Sequence, residues 1–145
     1  MMKRGILFLS ALLLLVRPAL SQNKLPSEQE LFDTLVARGI YAPEVAWQIA
    51  IWETGHLKSN LCVNHNNLFG LRRDKSSYAH FDNWTDCVDR FETLWTKRYN
   101  RYVEAGHKGD AYDFLKWWGY CTGQSNHPRE TEYVARLKSI RIPKK

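Results

Sequence analysis

The chain has 145 residues, of which 21 are lysine or arginine and 15 are aspartate or glutamate, giving a net charge of +6. Three of the basic residues, Lys3, Arg4 and Arg17, precede residue 22, so the remainder carries 18 basic against 15 acidic residues. That balance is too mild to indicate a nucleic-acid-binding protein, although a basic surface suits an anionic polymer. Residues 22–145 are enough for one compact domain.

Residues 1–21 have the pattern of a secretory signal peptide. Lys3 and Arg4 form a positive start, and an apolar run from Gly5 to Val16 follows. Ala19-Leu20-Ser21 places small residues where a signal peptidase cuts, which predicts cleavage before Gln22. We therefore expect a secreted or periplasmic protein with no stable membrane insertion after cleavage. The alternative is an uncleaved N-terminal anchor, which the shortness of the apolar run disfavours.

The three cysteines, Cys62, Cys87 and Cys121, leave two interpretations open. An oxidising compartment could pair two of them and leave the third free. Three unpaired thiols, buried as small apolar side chains, are the alternative. The sequence does not say which pair would form.

Helical patterns dominate the rest of the chain. Ser27 and Glu30 form a capping box before an apolar stripe, and Gly39 follows as a stop. The run from Val45 to Trp52 is apolar nearly all round, which predicts a central buried helix that Gly55 ends. Further helices are predicted from near Trp84 to Gly106, from Ala111 to Trp118 and from Pro128 to Ser139.

The middle of the chain has a different pattern. Asn64 to Asn67 is polar and predicts a loop. Leu68–Arg73 and Tyr78–Phe81 predict two short strands around a polar turn that contains Asp74. The expected fold class is therefore α+β but predominantly α, a helical domain with a short β-hairpin insertion.

Glu53 is the strongest candidate for chemistry. It follows Ile49 and Ala50 by four and three residues, so it continues the buried face of the central helix. Neighbouring apolar surface and the negative end of the helix dipole both disfavour its charged form and raise its pKa. A carboxyl with a raised pKa can act as a general acid. Taken by position alone, a solvated glutamate at a helix end is the alternative.

The residues around Glu53 carry a family resemblance. Residues 52–55 read Trp-Glu-Thr-Gly, Lys58-Ser59 follows, and residues 66–70 read Asn-Asn-Leu-Phe-Gly. This set resembles the glucosaminidase family of peptidoglycan hydrolases, which is similar to the lysozyme-like folds. Further matches follow in the family's order at Phe81-Asp82-Asn83-Trp84, at Gly119-Tyr120-Cys121-Thr122 and at Tyr133-Val134-Ala135-Arg136-Leu137.

The resemblance implies an endo-β-N-acetylglucosaminidase that cuts the β-1,4 bond following N-acetylglucosamine in peptidoglycan. It implies that Glu53 is the general acid and that Tyr120 lies near the scissile bond. It also implies that Asn67, Phe69 and Trp84 bind substrate, since amides bond N-acetyl groups and rings stack on sugars. Core packing for the two rings, and turn formation for Asn67, are the alternatives.

The sequence departs from the family pattern in the β insertion. Many members carry a second carboxylate there, as a base or as a stabiliser of the oxocarbenium ion, but this insertion is short and contains no glutamate. Asp74 is the preferred candidate for that role, because Asp82 has the position of a cap for the helix at Trp84. The acetamide group of the substrate could also assist.

Two other functions stay open at this stage. A lysozyme-like muramidase or lytic transglycosylase is one, and a transglycosylase needs no water-activating base. A non-catalytic glycan-binding module of the same fold is the other. We expect peptidoglycan strands as the partner, no nucleic acid, a monomer, no cofactor and no metal, since the histidines match no familiar zinc spacing.

Overall fold

The computed structural model describes residues 24–144, so the predicted signal peptide at residues 1–21 lies outside the described residues. The described chain is predominantly helical. Its helices, in chain order, are α1 (Glu28–Ala37), α2 (Pro43–Thr54), α3 (Asn60–His65), α4 (Trp84–Glu104), α5 (Ala111–Trp118) and α6 (Pro128–Ser139).

The helix ends follow the capping signals in the sequence. Ser27 and Glu30 form the predicted capping box of α1, with both hydrogen bonds present. Gly55 ends α2 in the left-handed conformation, with φ +55°. Asp110 caps α5 by accepting from the backbone N–H groups of Tyr112 and Asp113. The side chains of Ser27 and Asp110 satisfy N–H groups that would otherwise lack partners, so they fix where α1 and α5 begin, whereas Gly55 fixes where α2 ends.

The core is built around α2. Eight residues of this helix are buried, which confirms the prediction of a central buried helix. Helices α1 and α6 pack against α2, while α5 packs against both α4 and α6. Trp95 of α4 is fully buried, and its indole N–H donates to the carbonyl of Tyr41 at 2.8 Å. This bond holds the residues just before the start of α2 against α4.

A buried polar link ties α2 to the last two helices. The Gln48 amide donates to the carbonyl of Ile140 at 3.0 Å. Its oxygen accepts a hydrogen bond from the Tyr112 hydroxyl at 2.8 Å. Because an unpaired amide would be costly inside the core, these bonds favour one orientation of α2 relative to α5 and α6.

The predicted β-hairpin insertion is not supported as a pair of strands. In the described chain, residues 68–81 form one isolated antiparallel bridge, between Arg72 and Tyr78, and no named strand. Two backbone hydrogen bonds cross the segment, from the N–H of Ala79 to Leu71 and from that of Arg73 to Ser77. The Asn67 side chain adds to them, since it donates to the carbonyls of Leu71 and Ala79 and accepts from the Leu71 N–H.

Two smaller predictions also differ from the structure. Residues 60–65 form the short helix α3, part of which was expected to be loop. Asn83 rather than Asp82 caps α4, by accepting from the backbone N–H of Asp86. Of the two interpretations left open for the cysteines, the structure has the unpaired one, although Cys121 is exposed. Burial raises the pKa of Cys62 to about 11 and that of Cys87 to about 12. Among the described helices, none is long and apolar enough to cross a membrane.

Candidate active site

Glu53 lies in the last turn of α2, at the edge of a groove. The residue is exposed to solvent, but protein atoms surround its carboxyl group. The Tyr133 hydroxyl, from α6, donates a hydrogen bond to Glu53 Oε1 at 2.9 Å. Tyr133 itself is buried, so its hydroxyl is a fixed donor. The Oε1 atom is therefore occupied, and Oε2 is the oxygen left for a ligand.

Two opposing effects act on the protonation of Glu53. Desolvation by the surrounding protein raises the pKa of the carboxyl, and the hydrogen bond from Tyr133 lowers it. Desolvation is the larger effect, so the pKa lies above its ordinary value. This direction agrees with the one that the sequence predicted. It gives Glu53 a larger protonated fraction near neutral pH than an ordinary glutamate has.

Gly70 lies directly against the Glu53 carboxyl. Its φ is +65°, a conformation that L side chains rarely adopt. A Cβ at this position would lie 3.2 Å from Glu53 Oε2, which is tighter than an ordinary contact. Glycine is thus required both by the backbone and by the space around the acid. The Leu-Phe-Gly part of the motif therefore has a direct physical link to Glu53.

A left-handed turn follows Glu53. Gly55, His56 and Leu57 all have positive φ values, of 55°, 63° and 61°. The buried Thr54 hydroxyl holds this turn, because it donates to the carbonyl of Ala50 at 2.7 Å and accepts from the Leu57 N–H at 2.8 Å. Two non-glycine residues in this conformation carry strain that the surrounding contacts must offset. The Thr-Gly pair after Glu53 therefore serves to end α2 abruptly beside the groove.

The groove brings together three of the residues singled out from the sequence, Glu53, Phe69 and Tyr120. Its walls are formed by the segment 69–72 with Tyr78, by α4, and by the end of α5 with the residues that follow. The complete lining is Glu53, Phe69, Gly70, Leu71, Arg72, Tyr78, Phe91, Leu94, Trp118, Tyr120 and Cys121. Among these described lining residues, Glu53 is the one carboxylate.

Tyr120 lies across the groove floor from the end of α2. Its hydroxyl donates to the carbonyl of Phe69 at 3.3 Å, and its ring stacks on Tyr133 at a centroid distance of 6.1 Å. Burial raises the pKa of Tyr120 well above its ordinary value, and the nearby Glu53 carboxyl adds to this effect. The hydroxyl therefore stays protonated and acts as a hydrogen-bond donor rather than as a base.

Phe69, Asn67 and Trp84, the predicted substrate-binding residues, occupy different environments. Phe69 lines the groove, but it is only 1% exposed and stacks on Phe91 at 3.8 Å. Asn67 is fully buried, with its amide used by backbone groups, so this conformation leaves it no free donor for a sugar. Trp84 is the first residue of α4, packs against the core and lies outside the groove lining.

Asp74 lies outside the groove lining, in an exposed turn. Its oxygens accept hydrogen bonds from Ser76, Ser77 and Arg73. These bonds, led by that from the Ser77 hydroxyl, lower the pKa of Asp74 below its ordinary range. The geometry thus makes Asp74 a turn-forming residue, and its assignment as a second catalytic carboxylate stays a prediction that the placement does not favour.

Sequence reasoning missed Tyr133 and Trp118 as residues of the site. Tyr133 was interpreted as one member of the apolar side of α6, yet its hydroxyl contacts Glu53 across 80 positions of sequence. Trp118 was assigned only to a helix, yet it forms part of the groove wall. A tyrosine inside an apolar stripe is the available signal, because a buried hydroxyl needs a partner. The described chain holds no group of three or more His, Cys, Asp or Glu side chains that could bind a metal ion.

Comparison with known proteins agrees with this geometry. A protein-family model described as glucosaminidase, mannosyl-glycoprotein endo-β-N-acetylglucosaminidase, matches residues 30–141. The match runs from within α1 to beyond the end of α6 and includes every residue of the groove lining. No curated protein and no solved structure gives a significant match. Because the family model covers well over half of the sequence, the chain belongs to the glucosaminidase family of glycoside hydrolases.

Proposed function

We propose that this protein is an exported peptidoglycan hydrolase that cleaves the β-1,4 bond after N-acetylglucosamine, with Glu53 as the general acid. The observation that carries the proposal is the Glu53 carboxyl itself. It faces a groove, is held by Tyr133 and Gly70, and has a raised pKa. A glycosidase needs such a group, because the departing sugar oxygen must receive a proton as the bond breaks.

The hydrogen bond from Tyr133 specifies which oxygen of Glu53 carries the acidic proton. Since Oε1 accepts from the tyrosine hydroxyl, the proton is carried by Oε2, next to Gly70. Oε2 then donates to the glycosidic oxygen as the bond to the anomeric carbon lengthens. Tyr120 remains protonated, and its hydroxyl holds the carbonyl of Phe69, the residue before Gly70 in the chain.

The second half of the reaction is the attack of water, for which the groove supplies no separate base among its described lining residues. Among the described residues of the lining there is no carboxylate opposite Glu53 that could activate water. The acetamide of N-acetylglucosamine can instead attack its own anomeric carbon, and water then opens the resulting ring. That route requires one protein acid, which fits the single carboxylate of this groove.

The proposed location follows from residues 1–21 and from the substrate. A cleaved signal peptide would deliver the domain to the cell envelope, where peptidoglycan lies. The domain would act there as a monomer, with the groove open to a long strand.

Zymography on purified cell walls tests the proposed activity. We expect the wild-type protein to clear the wall and Glu53→Gln to clear it at least about 100-fold more slowly, because loss of a general acid typically costs that much. Glu44→Gln is the matched control, since Glu44 lies in the first turn of the same helix and outside the groove. Equal clearing by wild type and Glu53→Gln, or no clearing by either, would overturn the proposal. No clearing by either protein would favour a non-catalytic glycan-binding module.

A lytic transglycosylase is the second candidate, because it needs one acid and no base for water. Mass spectrometry of the released fragments distinguishes the two reactions. Reducing N-acetylglucosamine ends support the glucosaminidase, while anhydro-muramyl ends identify the transglycosylase. Reducing muramic acid ends would identify a muramidase instead.

A further inference from the structure

Two guanidinium groups are stacked on aromatic rings of the groove. Arg72 lies over the Tyr78 ring at 4.6 Å, and Arg98 lies over the Trp118 ring at 5.6 Å. Arg72, Tyr78 and Trp118 line the groove together with Glu53. Both distances are within the range in which a cation is attracted to a ring face. The groove therefore has a positive charge on its 69–78 side, whereas the exposed Arg98 lies outside the groove lining.

The contact with Tyr78 limits where the Arg72 guanidinium can lie. Tyr78 is 49% exposed, and the antiparallel bridge between Arg72 and Tyr78 keeps the two backbones together. The planar guanidinium has N–H donors that can bind both oxygens of a carboxylate at once, and it is less suited to a single neutral hydroxyl.

Neither guanidinium is neutralised within the described chain. Ion pairs are formed there by Arg38, His56, Arg73 and Lys116, and neither Arg72 nor Arg98 takes part in one. The carboxylate closest in sequence to Arg72 is Asp74, which pairs with Arg73 and with two serines. The Arg90 guanidinium also contacts the carbonyl of Arg72 at 3.5 Å, which adds a third positive group. Among the described lining residues, Glu53 is the one acid that could compete with an anionic substituent for Arg72.

We propose that Arg72 binds carboxylate groups carried by the glycan strand, so that the groove prefers acidic strands over neutral ones. The inference rests on the proposed function and specifies the substrate of the same groove. A polymer of N-acetylglucosamine alone has no carboxylate for this residue. A strand whose alternate sugars bear lactyl groups or peptide stems has one or more per repeat.

The test compares two forms of one substrate. Solubilised, fluorescently labelled peptidoglycan strands are used with their carboxylates free, or after conversion of those carboxylates to amides with a carbodiimide and ammonium. Binding is measured in a Glu53→Gln background, so that the strand is not consumed. Arg72→Gln is compared with Arg73→Gln, a neighbour with the same charge change that is paired with Asp74 and lies outside the groove lining. Arg98→Gln is a second control, since Arg98 contacts the Trp118 ring but also lies outside the lining.

We expect Arg72→Gln to weaken binding of the acidic strand about tenfold, the loss expected for one charge-assisted contact. Binding of the amidated strand should change less than about twofold, as should both affinities of Arg73→Gln and of Arg98→Gln. Equal loss on both strands, the same loss in Arg73→Gln, or no loss at all would overturn the inference. The same variants are also assayed for cleavage with Glu53 intact. If the proposed function is wrong, even the protein without arginine substitutions cleaves neither strand, so the two kinds of failure are distinguishable.

Discussion

Two neighbours of Glu53 act on its carboxyl in opposite directions. Burial by the groove wall raises the pKa, and the hydrogen bond from Tyr133 lowers it. A general acid works when it is protonated, so its activity is lost as the pH rises through its pKa. The proposed role of Glu53 therefore predicts that removal of the Tyr133 hydroxyl, which lowers this pKa, changes the alkaline limit of activity.

The Tyr133→Phe variant tests that balance. Without the hydroxyl, the ionised carboxylate loses a donor, so the pKa of Glu53 rises. We expect the alkaline limb of the kcat/KM profile to move to higher pH, measured on soluble strands between pH 4 and pH 9. Tyr112→Phe, which removes a hydroxyl bound to Gln48 outside the groove, should leave the limb in place. A shift of the Tyr133→Phe limb to lower pH, or no shift, contradicts the assignment of Glu53 as the acid.

Gly70 offers a second test at the scale of one residue, with Gly39 as its control. Both have a φ near +65°, but a Cβ at Gly39 would meet nothing within 4 Å, whereas one at Gly70 would crowd Glu53 Oε2. Alanine at either position should lower the free energy of unfolding by about 1–2 kcal/mol, the cost of a left-handed backbone. Only Gly70→Ala should also lose more than about tenfold in kcat. Equal activity of the two variants in a cell-wall assay would show that close packing on Glu53 is unimportant.

At the scale of elements, α6 contacts both Glu53 and the segment that directly follows Tyr120. Tyr133 contacts Glu53, and one turn earlier the fully buried Glu130 accepts from the backbone N–H groups of Cys121 and Thr122 and from the Thr122 hydroxyl. These bonds fix the residues directly after Tyr120. A single helix thereby positions the acid and the tyrosine relative to each other.

The Glu130→Ala variant tests this support. Removal of the Glu130 carboxylate leaves two backbone N–H groups and a hydroxyl without their partner. We therefore expect the free energy of unfolding, measured by urea titration, to fall by about 3 kcal/mol. Glu132→Ala, an exposed neighbour in the same helix, should change stability by less than about 0.5 kcal/mol. Similar effects of the two substitutions would mean that Glu130 does not anchor the segment.

The helices could be predicted from the sequence because their signals are local. The capping box at Ser27, the glycine at position 55 and the Asp110 cap each act within one turn, and each lies where the pattern placed it. The structure of residues 68–81 could not be predicted from local signals of this kind. Strand pairing at residues 68–81 depends on where the Asn67 amide points, and that direction is set by burial against distant residues.

At the scale of the whole molecule, the family motifs identified the segments around Glu53 but not the role of each residue within them. Asn67 belongs to a motif next to the site, yet its side chain faces inward and orders the backbone. Tyr133, Trp118 and Arg72 enter the site only through tertiary packing of α4, α5 and α6 around α2. Contacts over such sequence separations leave no periodic signal in a single sequence.

The central claim is that Glu53 donates a proton to the leaving sugar, and a change of leaving group tests it most directly. A glycan strand needs that proton, whereas an oligosaccharide of the same sugars with a dinitrophenolate leaving group does not, since the phenolate is stable as an anion. The measurement is kcat of Glu53→Gln relative to wild type on both substrates. We predict a loss of at least about 100-fold on the strand and less than about tenfold on the dinitrophenyl substrate. An equal loss on both substrates would contradict the role of Glu53 as the acid.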